Sequence, residues 1–313
     1  MDSGETGQKI VNRLIIGAAY LIVITIWSTT PITIKWSSDG VDFLFGIVMR
    51  MAIGAILSLT ITLLVYKKIS FNKSACKVYL AVALAMFGGM MPVYWGAQYI
   101  SSGLISVVFG LTPMITGYLA WRLINEQSFN GVKIIGSTAG VVGLIIIFAG
   151  NIAFGENYLY GVLAILLAVI LHSVSAVWIK QVKVDMPAIS IVAGGLLFSM
   201  PFFITVYLVF SPGLPEIIPH KALWSIVYLG VVGSVVGFVC YYFLLKQLPA
   251  SQVALITLVT PVLSLWIGHT LNSEIISTSI YIGTAFVLSG LALHQWGDVL
   301  LKKVWKKRSL YYG

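Results

Sequence analysis

The sequence predicts an all-α integral membrane protein of ten transmembrane helices, arranged as two inverted five-helix repeats. Three observations predict it. The 313 residues are 59% hydrophobic and only 9% charged, whereas a soluble domain carries about 25% charged residues. The apolar residues fall in runs of about 20, the length that crosses the hydrocarbon of a bilayer. Lys and Arg gather in alternate connectors, as they do in cytoplasmic loops.

The runs are Leu14–Ile34, Phe43–Val65, Val78–Ala97, Leu104–Ile124 and Val132–Phe148, then Leu159–Ile179, Ile189–Phe210, Leu223–Leu245, Val253–Leu271 and Ile280–Trp296. Breaker chemistry separates them, as in Ser37-Ser38-Asp39-Gly40 and Ser211-Pro212-Gly213-Leu214-Pro215. The first run exceeds the apolar stretch of a signal peptide and a second follows at once, so it is read as retained. With the N-terminus in the cytoplasm, every Lys and Arg except Lys35, Lys221 and Arg50 falls in a cytoplasmic segment. Asp39, Asp42, Glu156, Glu216 and Glu274 fall outside. The expected location is the inner (plasma) membrane, multi-pass, with both termini cytoplasmic.

The net charge of +9 follows from the same distribution. Its densest cluster, Lys302–Arg308, is placed against anionic headgroups, so the partner is the lipid bilayer and not nucleic acid. Cys76 and Cys240 are read as free thiols, since a disulfide framework needs more pairs. No cofactor or metal is expected. There is no His-Glu-x-x-His, cysteine cluster or nucleophile elbow, and no connector long enough for an ATPase domain. Gly131 to Ser137 lacks the lysine that a phosphate loop places before its serine.

Internal repetition divides the chain into 1–150, 151–301 and a basic tail, 302–313. Thr112-Pro113 and Thr260-Pro261 are 148 residues apart, and the same offset pairs Tyr94 with Tyr242 and Glu126 with Glu274. A one-residue adjustment pairs Gly136 with Gly283 and Gly143 with Gly290. Near the starts of the halves, an offset of 145 pairs Ile34-Lys35 with Ile179-Lys180 and Trp27-Ser28 with His172-Ser173. Five spans is an odd number, so the second half enters the membrane from the opposite side.

These landmarks resemble the drug/metabolite transporter superfamily, in its ten-span EamA-type branch. The likeness rests on Ile26-Trp27-Ser28-Thr29, on Arg50, and on Ala97-Gln98-Tyr99-Ile100-Ser101-Ser102-Gly103-Leu104 through Thr112-Pro113 to Asn125-Glu126. The echo is Leu248-Pro249-Ala250-Ser251 through Thr260-Pro261 to Ser273-Glu274. Asn125 and Ser273 stand where the family has glycine, and His172 where it commonly has a tryptophan-like residue. The resemblance implies a secondary transporter and no enzyme: an exporter or exchanger of a small organic, amino-acid-like metabolite, working by alternating access. Two other classes stay open at this point. One is a membrane-embedded enzyme acting on a lipid-linked substrate, for which no His, Asp or Glu cluster is seen; the other is a pore or structural membrane protein.

Arg50 lies within a span, where insertion at a helix centre costs about 2.5–3.5 kcal/mol. It is read as a cationic anchor for a carboxylate or as a packing residue bonded to backbone carbonyls. Pro113 and Pro261 free the carbonyls of Phe109 and Thr257. Thr112 and Thr260 can supply hydroxyls there, so these four residues are expected to shape a cavity. Trp27, Tyr94 and Tyr242 are deep aromatics expected to line it. His172 is mid-span and is read as a titrating group or as a neutral imidazole bonded nearby. His269 and His294 are read as interfacial, and Glu126 and Glu274 as caps of the helix that follows each. Gly136-x-x-x-Gly140 and Gly233-x-x-x-Gly237 allow close helix approach, within a monomer or across a homodimer.

Overall fold

The computed structural model describes residues 3–125, 131–150, 156–182 and 185–309. Those residues form helices and connectors, with no strand among them. Backbone N–H and C=O groups in hydrocarbon must bond within their own segment, and an apolar run does this by coiling into a helix. The elements are α1 (Ser3–Ser37), α2 (Phe43–Tyr66), α3 (Lys73–Gly96), α4 (Ser102–Ile124) and α5 (Gly131–Ala149). They continue as α6 (Glu156–Val182), α7 (Ala188–Phe210), α8 (His220–Gln247), α9 (Ala250–Val253 and Ile256–Asn272) and α10 (Thr278–Ser309). Seven of them are long and apolar enough to cross a membrane: α1 to α4 and α6 to α8. In α5, Gly131–Ile147 is apolar but shorter. Large apolar side chains such as Leu64, Leu208 and Phe210 point outward, as acyl chains require.

Local chemistry sets the ends. The Asp42 side chain accepts from Leu44 N at 2.9 Å and that of Asn72 from Ala75 N at 2.8 Å, each capping a helix start. Asn125 and Ser273, at the family's glycine positions, have φ of 51° and 50°. Both close a helix in the left-handed conformation, which explains why glycine suits the site.

Two of the helices are wound irregularly. Residues Leu84–Gly89 of α3 and Leu229–Gly237 of α8 are π-helical. Their last residues, Gly89 and Gly237, are 148 apart, the repeat offset. The two proline positions also differ from a simple mid-span kink. In α4 the regular helix stops at Phe109 and restarts at Thr112, which places Pro113 in a first turn where its missing N–H costs nothing. In α9 the break comes earlier, between Val253 and Ile256, and Pro261 lies inside the continuing helix.

The packing pairs α1 with α8, α3 with α6, α2 with α7, α4 with α9 and α5 with α10. The last pair meets backbone to backbone. A Cβ on Gly136 would lie 2.6 Å from Gly290 O and 2.7 Å from His294 N; one on Gly143 would lie 2.5 Å from Gly283 O. Numbers rise along α5 as they fall along α10, so the contact is antiparallel. Exchanging Gly136 with Gly283 and Gly143 with Gly290 maps the contact onto itself. At Gly136 the nearest atoms are all main chain and cannot swing aside. Gly136→Ala is therefore expected to cost about 1–3 kcal/mol, read as a lower thermal midpoint in detergent. Gly131→Ala, which meets nothing within 4 Å, serves as the control and is expected to leave the midpoint in place.

One expectation is corrected, that for Glu274. His294 is buried within the bundle, beside the first turns of α5. Its Nδ1 lies 3.2 Å from Lys133 O and 3.3 Å from Ser137 Oγ. Glu274 does not cap the helix after it; its carboxylate reaches the start of α4. Glu126 and the side chains of Lys302–Arg308 lie outside the described residues. Cys76 and Cys240 are free thiols.

Candidate functional site

A cavity opens where α1 to α4, α6, α8 and α9 converge, with about 840 Å³ of space between atoms, part of it open to solvent. Trp27, Arg50, Thr112, His172 and Thr260 line it. Much of its wall is built of repeat-equivalent pairs. Met90 and Val93 of α3 answer to Phe238 and Tyr241 of α8, and Phe109 and Thr112 of α4 answer to Thr257 and Thr260 of α9.

Arg50 supplies the strongest electrostatic feature. The residue is 2% exposed. Its Nε donates to Ser234 Oγ at 2.9 Å, and its Cζ sits 5.8 Å from the centroid of the Tyr94 ring. Its Nη1 is buried without a hydrogen-bond partner. Ion pairs such as Lys221–Asp39 and Lys246–Asp185 do not involve Arg50. A buried cation with an unsatisfied N–H is costly, and the cavity beside it is where an anion could relieve that cost. Gly233 provides the room: a Cβ there would stand 3.4 Å from Nη2.

Glycines of the two π segments seat the two repeat-equivalent rings. A Cβ on Gly89 would lie 2.8 Å from His172 Cδ2 and Nε2, and one on Gly237 would lie 3.7 Å from Trp27 Nε1. His172 meets the Phe109 ring edge-on at 5.7 Å, and its Nε2 is buried without a partner. Trp27 packs against Phe238 and Tyr241, with centroids 6.5 and 5.2 Å away.

Hydroxyls make up most of the remaining polarity, and their protons are already committed. Thr30 donates to Ile26 O at 2.8 Å, Thr112 to Phe109 O at 2.5 Å and Thr257 to Ala254 O at 2.7 Å. Ser106 donates to Ser264 Oγ at 2.8 Å, which donates to Ser28 O at 2.8 Å. These oxygens therefore present lone pairs to the space around them. The cavity has a donor pole at Arg50 and acceptors on α1, α4 and α9.

Tyr94 and Tyr242 do not line the cavity. Both are buried one residue past a lining position, Tyr94 beside Val93 and Tyr242 beside Tyr241. In both repeats the wall position is therefore the residue before the tyrosine, in the helix that follows a π segment. Tyr94 instead borders a polar recess with Lys35, Trp36 and Asn272, and Tyr242 stacks on Phe238 at 6.0 Å. Pro113 and Pro261 are buried behind Thr112 and Thr260. Pro31, Met90 and Phe238 are wall residues that the pattern of apolar runs did not distinguish.

Comparison with known proteins agrees with this architecture. The model of the EamA-like transporter family matches residues 14–149 and, a second time, residues 159–294. An uncharacterized transporter of Bacillus subtilis, YoaV, is 25% identical over 274 residues, covering 87% of this chain and 94% of that protein. An uncharacterized transporter of Archaeoglobus fulgidus is 27% identical over 284 residues, covering 86% and 95%. Protein PagO of Salmonella typhimurium is 22% identical over 282 residues, covering 86% and 88%. A crystal structure described only as that of a protein superposes with a TM-score of 0.66 at 18% identity, over 89% of this chain and 98% of that one. At that identity it shows the fold alone.

Proposed function

Because the chain belongs to the EamA-like transporter family, we propose that this multi-pass membrane protein is a secondary transporter of a small organic metabolite. It works as an exporter or exchanger by alternating access between two inverted halves of five spans each. The antiparallel, self-exchanging contact of α5 with α10 supports the inverted relation. The asymmetry of Lys and Arg supports a cytoplasmic position for both termini in the plasma membrane. In that orientation the end of the bundle carrying Lys35 and Glu274 faces outside.

The observation that carries this reading is the unpartnered Nη1 of buried Arg50 beside the central cavity. A carboxylate satisfies it with a charge-assisted hydrogen bond. The committed hydroxyls of Thr30, Thr112 and Thr257 then accept from an ammonium or another donor on the same molecule. Trp27, Phe109, Phe238 and Tyr241 contact its apolar or aromatic body. An amino-acid-like metabolite with an apolar side chain fits all three.

Purified protein in liposomes loaded with an unlabelled amino-acid mixture tests the assignment. Individual labelled amino acids added outside are expected to accumulate transiently by exchange, for at least one apolar or aromatic member. Ion conductance with no saturable exchange of any metabolite would sink it.

A further inference from the structure

The outer end of the bundle contains a carboxylate used to its full capacity. Ser273 turns left-handed at the end of α9 and Glu274 N returns to Gly268 O at 3.1 Å, so the Glu274 side chain folds back across the helix end. There it meets the start of α4. Its Oε1 accepts from Ser102 N at 3.0 Å and from Asn272 Nδ2 at 3.1 Å. Its Oε2 accepts from Ser102 Oγ at 2.8 Å and from Gly103 N at 3.3 Å. The carboxylate thus sits on the positive end of a helix belonging to the other half.

Close packing surrounds it. A Cβ on Gly103 would lie 2.8 Å from Leu265 Cα, and one on Gly268 would lie 2.8 Å from Ser102 Oγ. Trp36 Nε1 donates to Asn272 Oδ1 at 3.0 Å, and Lys35 Nζ to Ile100 O at 2.7 Å, which draws the end of α1 into the same cluster. Ser106, one turn further along α4, is already part of the cavity wall. The cluster therefore lies directly over the outer side of the cavity, tying α1 and α4 to α9.

The repeat shows that the two ends are not equally furnished. Offsetting by 148 places Ala250 opposite Ser102, Ile124 opposite Asn272 and Glu126 opposite Glu274. Alanine has no hydroxyl and isoleucine no amide. Two of the four donors that Glu274 uses are side chains, and neither exists at the matching positions of the other half.

We propose that Glu274 is a latch that shuts the outer end of the transport cavity, and that its two additional side-chain donors bias the resting protein toward closure at that end. The latch rests on the alternating-access reading above, and it makes Glu274, Ser102 and Asn272 positioning residues. Opening the outer end admits water, which takes over the donors and acceptors that the parting helices release, so the latch can be undone without leaving them dry.

Labelling tests it independently of transport. A Cys76→Ser, Cys240→Ala background carries one reporter, Thr30→Cys, in the cavity wall. Right-side-out vesicles are treated with a membrane-impermeant maleimide, and inside-out vesicles give the rate from the other face. The parent is expected to label more slowly from outside than from inside. Glu274→Gln, which turns an NH2 group toward two of the four donors, is expected to label from outside about tenfold faster, the change in equilibrium given by about 1.4 kcal/mol. Ser102→Ala, a milder change that keeps the backbone donors, is expected to give a smaller rise. Ile124→Asn with Ala250→Ser supplies the missing donors to the inner end and is expected to raise outside labelling as well. Equal outside rates in the parent and all three variants overturn the latch, as does a parent that labels faster from outside. If the rates shift as expected in a protein that moves no metabolite, the latch stands and the transport assignment falls.

Discussion

Arg50→Met is expected to cut transport of a carboxylate-bearing substrate at least about tenfold while leaving the protein at least as stable as before. Methionine is unbranched and apolar, and it fills much of the arginine stem's volume. The variant removes a buried cation whose Nη1 has no partner and strands only the Ser234 hydroxyl, which can turn toward a helix carbonyl. Leaving a buried polar group unsatisfied costs about 1–3 kcal/mol, and its removal recovers that amount, so the thermal midpoint in detergent holds or rises. Transport at low substrate concentration falls at least about tenfold, because a hydrogen bond to a charged group contributes about 1.5–3 kcal/mol. Arg50→Lys keeps the charge but loses the Nε bond to Ser234 and the planar fork, and is expected to transport weakly with a raised KM. Both readouts together separate an anchor from a packing residue. A structural arginine gives a lowered midpoint in Arg50→Met, with losses in transport that track the losses in folded protein.

The second large effect is expected from Ser106→Cys with Ser264→Cys in the cysteine-free background. The two hydroxyl oxygens are 2.8 Å apart, and a disulfide needs its Cβ atoms about 3.5–4.5 Å apart, so these helices are placed to cross-link with little movement. The bond would tie α4 to α9 beside Ser28, whose carbonyl accepts from Ser264 at 2.8 Å. A cycle that parts these helices at the outer end stops when the bond forms. Oxidation is expected to reduce exchange to the level of empty liposomes and a reductant to restore it. Unchanged exchange in fully cross-linked protein rules out separation at this point.

The long helices were legible in the sequence because a bilayer imposes one length and one polarity on every segment, and runs such as Phe43–Val65 answer to α2 almost residue for residue. The site was legible where a residue type is costly in hydrocarbon. Arg50 and His172 stood out on that ground, and both border the cavity. Thr112 and Thr260 were found from the repeat, and Trp27 as an aromatic deep within its span. What the repeat could not disclose is which side of each helix faces inward. The π segments in α3 and α8 consist of ordinary apolar and glycine residues, so nothing in their composition announces the irregular winding that precedes Val93 and Tyr241. The role of Glu274 was hidden for a different reason. Three of its four donors lie 171 and 172 positions away in the other half, whereas local spacing suggests only the helix that follows. Proline marks a break only to within a turn or so, as the early interruption of α9 shows.

The crossing of α5 and α10 bears on how the halves can move. Four glycines bring main chain against main chain along two separate points of contact. A main-chain atom of the facing helix lies within 2.7 Å of the Cβ position at each of the four, and two points of contact resist both sliding and swivelling. In the alternating-access cycle proposed above, the pair serves as a fixed axle: the rocking belongs to α1 to α4 and α6 to α9, and the last helix of each half is the frame they turn against.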